Sequence, residues 1–202
     1  MTYIELLNKT MELYLQEKYF EAYTFITANS GKIDKGTALP GNTIMALPQS
    51  SQTAFSDAYV WHNLEKGCRE LKAHVKGLLK THDGHFSKMI AGGFSAGARV
   101  IVHSVCKCLK DVQGIILLGP WLPDIDKWTF SLENLRKTKN CIICGDKDED
   151  CLKYADKFAE RLDKENIPYR YTIIPGLKHD YPYARQSLLH EAFEYIKGEK
   201  ST

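Results

Sequence analysis

No apolar run in these 202 residues approaches the roughly 20 needed to cross a bilayer, so no membrane association is expected. Charge of neither sign is in excess: 27 Lys and Arg stand against 25 Asp and Glu, a net +2 with histidine neutral. The basic residues are scattered, which excludes a nucleic-acid surface built on a basic face. The first twenty residues, MTYIELLNKTMELYLQEKYF, carry acids and lysines among their apolar positions and lack the uninterrupted core of a signal peptide. Without a leader, the six cysteines read as reduced thiols of a cytoplasmic protein rather than as a disulfide framework. Metal-site pairs are lacking as well. Cys141-x-x-Cys144 falls on a predicted strand, where an odd separation sends the thiols to opposite faces. Cys106 and Cys108, two apart on a helix, diverge by about 200°. No complementary C-x-x-C or H-x-x-x-H accompanies them, so neither a metal nor a cofactor is expected. With 44% hydrophobic and 26% charged residues the composition is that of an ordinary globular chain, and disorder and collagen-like repeats are excluded.

What is present divides near residues 29–42. Ile4, Leu7, Met11, Tyr14 and Leu15 recur at helical spacing, and a second short helix is predicted from Tyr19 to Ala28. Residues 1–30 are therefore expected to form a helical hairpin. It resembles part of a tetratricopeptide repeat, with Tyr14, Tyr19 and Ala22 near the aromatic and small positions of that motif. No second copy follows, so the unpaired hairpin is a candidate surface for a protein partner or self-association. The segment NSGKIDKGTALPGN, rich in glycine, reads as a linker over 31–42. From residue 43 to 202 short apolar runs alternate with amphipathic helices. The runs are Thr43–Leu47, Lys88–Phe94, Val112–Leu118, Cys141–Cys144 and Tyr169–Ile174. Runs apolar almost throughout, each followed by a helix, predict an α/β domain: a mostly parallel sheet of about five strands covered on both faces. Right-handed crossovers then gather every strand's C-terminal end along one edge.

Three motifs fall on that edge. Gly93-Phe94-Ser95-Ala96-Gly97 is a G-x-S-x-G sequence between a predicted strand and a predicted helix, the setting of a nucleophile elbow. Such a turn strains the serine, exposes its hydroxyl and requires small neighbours where strand and helix cross. It also aims the helix N-terminus, and the Ala96 N–H, at a developing oxyanion. A serine hydroxyl needs a base, and the base needs an orienting acid. Both are available after later strands: Gly145-Asp146-Lys147-Asp148-Glu149-Asp150, and Gly176-Leu177-Lys178-His179. Asp124 and Asp126, after VQGIILLGPWLPD, are alternative acids, and Asp148 is also suited to capping the helix that follows it. The other histidines (62, 74, 82, 85, 103 and 190) fall on predicted helices or polar loops and read as surface or packing residues.

GGFSAG, CGDKD and PGLKHD, in this order and spacing, resemble the α/β-hydrolase superfamily, in particular small carboxylesterase/phospholipase-like and dienelactone-hydrolase-like serine esterases. The resemblance spans roughly residues 43–198. It implies a triad of Ser95, Asp148 and His179, with the acid three residues after the glycine closing its strand and the base closing a G-x-x-H turn. It implies hydrolysis of a small-molecule carboxylic ester or thioester, with the backbone N–H of Ala96 as an oxyanion donor. Trp121, after a strand end, and Gln49, after the first run, are candidate substrate contacts. Nothing ahead of Thr43 corresponds to the superfamily's first three strands or to its His-Gly loop, which donates a second oxyanion N–H. A truncated α/β-hydrolase fold is therefore expected, active but weakened. The alternative is a catalytically impaired scaffold serving as an interaction protein.

Overall fold

The computed structural model describes residues 46, 48, 50–55, 58–81, 88–182 and 186–198. The expected hairpin and linker, and all of the run Thr43–Leu47 except Ala46, lie outside the described residues. The chain falls into two compact units. One comprises Met1–Pro48 with Arg185–Phe193, and its described part is chiefly the helical residues 186–193. The other, Gln49–Ala184 with Glu194–Thr202, holds the sheet and the candidate site.

Its elements run β1 (Thr53–Phe55), β2 (Ala58–Tyr59), α1 (Leu64–Thr81), β3 (Met89–Phe94), α2 (Ala96–Lys107), β4 (Val112–Leu118), a 3-10 turn (Ile125–Lys127), α3 (Glu133–Arg136), β5 (Lys139–Gly145), α4 (Glu149–Lys164) and β6 (Tyr169–Ile174), together with the residues from Glu194 onward of α5 (Gln186–Lys197). Strands β3 to β6 form a parallel sheet in the order β3-β4-β5-β6. That is four strands among the described residues rather than about five, because the first predicted run is not among them. The small antiparallel pair β1–β2 was not expected from the sequence.

Alternation along the strands explains how the sheet is covered. Ile115 and Leu117 of β4, with Ile142 and Cys144 of β5, join Val100 and Val102 of α2 and Ala155, Phe158 and Leu162 of α4 in one buried cluster. The opposite face carries Gly114 and Cys141. Ile196 packs so closely on Gly114 that a Cβ there would lie 2.5 Å from its side chain. Cys141 and Cys144 are both buried and the thiols serve different faces, as the odd spacing requires. Burial raises the Cys141 thiol to about 11 and the Cys144 thiol to about 12. One cysteine expectation fails. Cys68 of α1 and Cys108, just after α2, are joined by a disulfide with a Cα separation of 6.3 Å. The packing of α1 on α2, which spacing in sequence does not reveal, brings the two together. Cys106, Cys141, Cys144 and Cys151 are free. No described helix is long and apolar enough to cross a membrane.

Candidate active site

Ser95 sits between β3 and α2 with φ 54° and ψ −121°, a positive-φ conformation that costs a residue with a side chain about 1–3 kcal/mol. The surrounding backbone holds it there. Its N–H donates to the Leu118 carbonyl at 2.9 Å, and its own carbonyl accepts from Ala98 N–H at 3.0 Å and Trp121 N–H at 3.2 Å. Gly93 is obligatory: a Cβ there would lie 2.4 Å from the Gly97 carbonyl carbon and 2.6 Å from the Ala98 nitrogen. At Gly97 a Cβ would meet nothing within 4 Å, so the sequence argument for two obligatory small residues holds only at the first. What Gly97 supplies at the crossing is backbone. Ala96 opens α2, where the first backbone N–H groups have no partner within the helix.

The turns after β5 and β6 interlock. Asp146 N–H donates to the Ile174 carbonyl at 3.1 Å and Lys147 N–H to the Leu177 carbonyl at 3.0 Å. Asp146 Oδ1 in turn accepts from Gly176 N–H at 2.7 Å. A Cβ on Gly145 would lie 2.1 Å from the Leu177 carbonyl oxygen, so only glycine lets β5 and the loop after β6 lie this close. The result is a continuous hydrogen-bonded chain. Asp148 Oδ2 lies 2.7 Å from His179 Nδ1, and His179 Nε2 lies 3.0 Å from Ser95 Oγ. The imidazole also stacks on Phe94, ring centroids 4.8 Å apart.

Three of the alternative carboxylates, Asp124, Asp126 and Asp146, are engaged elsewhere. Asp148 is buried at the N-cap of α4, yet its side chain makes no capping hydrogen bond. Asp124 is gripped by Arg99 at 2.9 and 2.6 Å. Burial alone would raise its carboxyl, but the Arg99 hydrogen bonds and charge hold it below the usual carboxylate range. Asp126 pairs with Lys157, and Asp150 is exposed on α4. Among the other histidines, His103 is buried beside Glu65, and His62, His74 and His190 are exposed; His82 and His85 lie outside the described residues.

A cleft of about 620 Å³ opens over this chain, lined by Ser95, Trp121, Lys147, Asp148, Glu149, Asp150, Cys151 and His179. Trp121 is 40% exposed there, with the Arg99 guanidinium 5.9 Å from its ring centroid. Gln49 lies outside the described residues. Two further neighbours escaped the sequence reading. Gly119, with φ 46°, leaves room where a Cβ would stand 3.1 Å from Asp148 Oδ2 and 3.6 Å from His179 Nδ1. The glycine closing the β4 run was the available signal. Cys151 Sγ lies 3.4 Å from His179 Nδ1, a proximity no local pattern announces.

A family model described as phospholipase/carboxylesterase matches residues 58–196. No curated protein matches the chain. Among solved structures, an uncharacterized protein from Bacillus cereus ATCC 10987 is 28% identical with a TM-score of 0.69, over 98% of this chain and 100% of that one. A carboxylesterase from Mesorhizobium loti is 15% identical with a TM-score of 0.57, over 74% of this chain and 73% of that one. The acyl-protein thioesterase 2 of Zea mays is 16% identical with a TM-score of 0.51, over 72% and 70%. The latter two share the fold.

Proposed function

The chain belongs to the phospholipase/carboxylesterase family of α/β hydrolases, and on that premise we propose that it cleaves carboxylic esters or thioesters through an acyl-enzyme on Ser95. The observation that carries this reading is the hydrogen-bonded chain from Ser95 Oγ through His179 to Asp148. Ser95 Oγ attacks the substrate carbonyl while His179 Nε2 takes its proton. Asp148 keeps a proton on Nδ1 and stabilises the imidazolium that forms. The tetrahedral oxyanion turns toward the Ala96 N–H, and collapse expels the alcohol or thiol, which receives the proton from His179. Water then attacks the acyl-serine by the same route. Trp121, exposed in the cleft, is positioned to contact the acyl or leaving group. The thioester arm follows the acyl-protein thioesterase among the structural neighbours.

The proposed enzyme is slow. A single oxyanion donor is worth about 3–4 kcal/mol, or about 10²–10³ in rate, and among the described residues the mechanism draws on one, the Ala96 N–H. Turnover of a short-chain p-nitrophenyl ester should fall well below about 10 per second. A fluorophosphonate should label the folded protein once, and Ser95→Ala should abolish the labelling. Labelling that survives this substitution would sink the assignment.

A further inference from the structure

His179 has a neighbour that the hydrolytic steps leave idle. Cys151, in the first turn of α4, is buried, and the proposed mechanism gives its thiol no role. Asp148, Cys151 and His179 each offer one ligand atom, and these atoms all lie within 4.8 Å of one another. We propose that these three residues bind a zinc ion through Asp148 Oδ2, Cys151 Sγ and His179 Nδ1, and that the bound ion switches the hydrolase off. The binding stands apart from the hydrolase reading; the switching rests on it.

The geometry is close to what the ion needs. Tetrahedral zinc holds nitrogen and oxygen at about 2.0–2.2 Å and sulfur at about 2.3 Å, which sets ligand atoms roughly 3.3–3.6 Å apart. The Sγ to Nδ1 distance, 3.4 Å, already fits. Nδ1 must withdraw from its 2.7 Å contact with Oδ2 by roughly half an ångström. His179 sits on a loop with its side chain 43% exposed, which lets its ring rotate, and the separation of Cys151 Sγ from the Asp148 oxygen, within 4.8 Å, must come into the same range. One sulfur, one nitrogen and one oxygen form a set suited to zinc and its transition-metal neighbours rather than to magnesium or calcium.

The charges balance. Cys151 releases its thiol proton to solvent and binds as thiolate, so thiolate and carboxylate together neutralise the dication. Burial, reinforced by the Asp148 charge, pushes that thiol up and opposes its release; bonding to the metal offsets the cost. His179 gives the Nδ1 lone pair to zinc and carries its proton on Nε2. A water from the cleft completes the tetrahedron. At the mouth, Glu149 and Asp150 outnumber Lys147 and favour entry of a cation. With Nδ1 on the metal and Nε2 protonated, the imidazole has no lone pair left for the Ser95 proton.

The test uses the full-length chain, titrated with Zn²⁺ against a chromophoric chelator and with Co²⁺ by absorption spectroscopy. The expected result is one ion per chain, with a thiolate-to-cobalt charge-transfer band and the visible bands of tetrahedral cobalt. Cys151→Ser should erase the charge-transfer band, and both Cys151→Ser and His179→Ala should weaken zinc binding at least tenfold. Cys106→Ser should change neither. A cobalt complex without a thiolate band, or zinc affinity unmoved in both variants, overturns the site. Should Cys151→Ser fail to fold, His179→Ala, altered at a half-exposed position, decides between a site and none by its zinc affinity alone. Ester turnover then reads the switch: zinc should suppress it, a chelator should restore it, and zinc bound at the site with turnover undiminished overturns it. A chain that neither turns over esters nor takes the fluorophosphonate removes the hydrolase reading and the switch together, and the metal titration still decides the site.

Discussion

At Asp148 a carboxylate stands where it could serve either the helix below it or the imidazole beside it. The helix receives only its main chain: the Asp148 carbonyl accepts from Leu152 N–H at 2.7 Å, while Oδ2 turns to His179 Nδ1. A buried carboxylate with one charge-assisted partner is tuned to that partner. Asp148→Asn should therefore leave the fold intact and lower ester hydrolysis by about 10⁴, because the imidazole loses the group that fixes its tautomer. Circular dichroism and a p-nitrophenyl ester assay check the two halves. The same loss on Asp124→Asn or Asp146→Asn, with Asp148→Asn unaffected, would reassign the acid. Asp124 is occupied by Arg99, and Asp146 pins the turn at Gly176.

Among the elements, the turns at the strand ends carry the most specific information. The G-x-S-x-G sequence named its own turn because Gly93 has a backbone neighbour that excludes any side chain. Gly93→Ala should cost roughly 1–3 kcal/mol by forcing strand and helix apart, and should also end fluorophosphonate labelling of Ser95. A thermal melt and a labelling gel report both; an unshifted melt with full labelling would contradict the crossing described. The alternation of apolar strands and amphipathic helices was legible in the same way, since β4 and the Cys141–Cys144 stretch of β5 are apolar almost throughout and the spacing of Ala155, Phe158 and Leu162 gives α4 its buried stripe. What stayed hidden were meetings between distant segments. Gly119 against Asp148, Cys151 against His179 and Cys68 against Cys108 each depend on how the elements pack, and no local period encodes them.

For the whole molecule, the contact of α1 with α2 is a point of acid sensitivity. His103 is buried in α2 with Nε2 3.2 Å from Glu65 of α1. Burial lowers its pKa below the ordinary 6.5; Glu65 pulls the other way, and Lys107 and Arg99 add to the lowering. A histidine harder to protonate when folded contributes stability that is whole above the unfolded value and is lost as pH falls through the folded one. The melting temperature should thus drop as pH falls from about 6.5, and His103→Gln should flatten the drop. An identical acid profile in the variant would point to other groups. The bridge between Cys68 and Cys108 touches that same helix pair and has a topological consequence. It closes a covalent ring over a sequence separation of 40, and Ser95 lies inside the ring. A protease that cuts once anywhere between the two cysteines opens the ring without separating the pieces. On a gel without reductant the nicked protein should keep its full mass; with reductant it should part into two fragments, the C-terminal one carrying Ser95, Asp148 and His179 whenever the cut precedes Ser95.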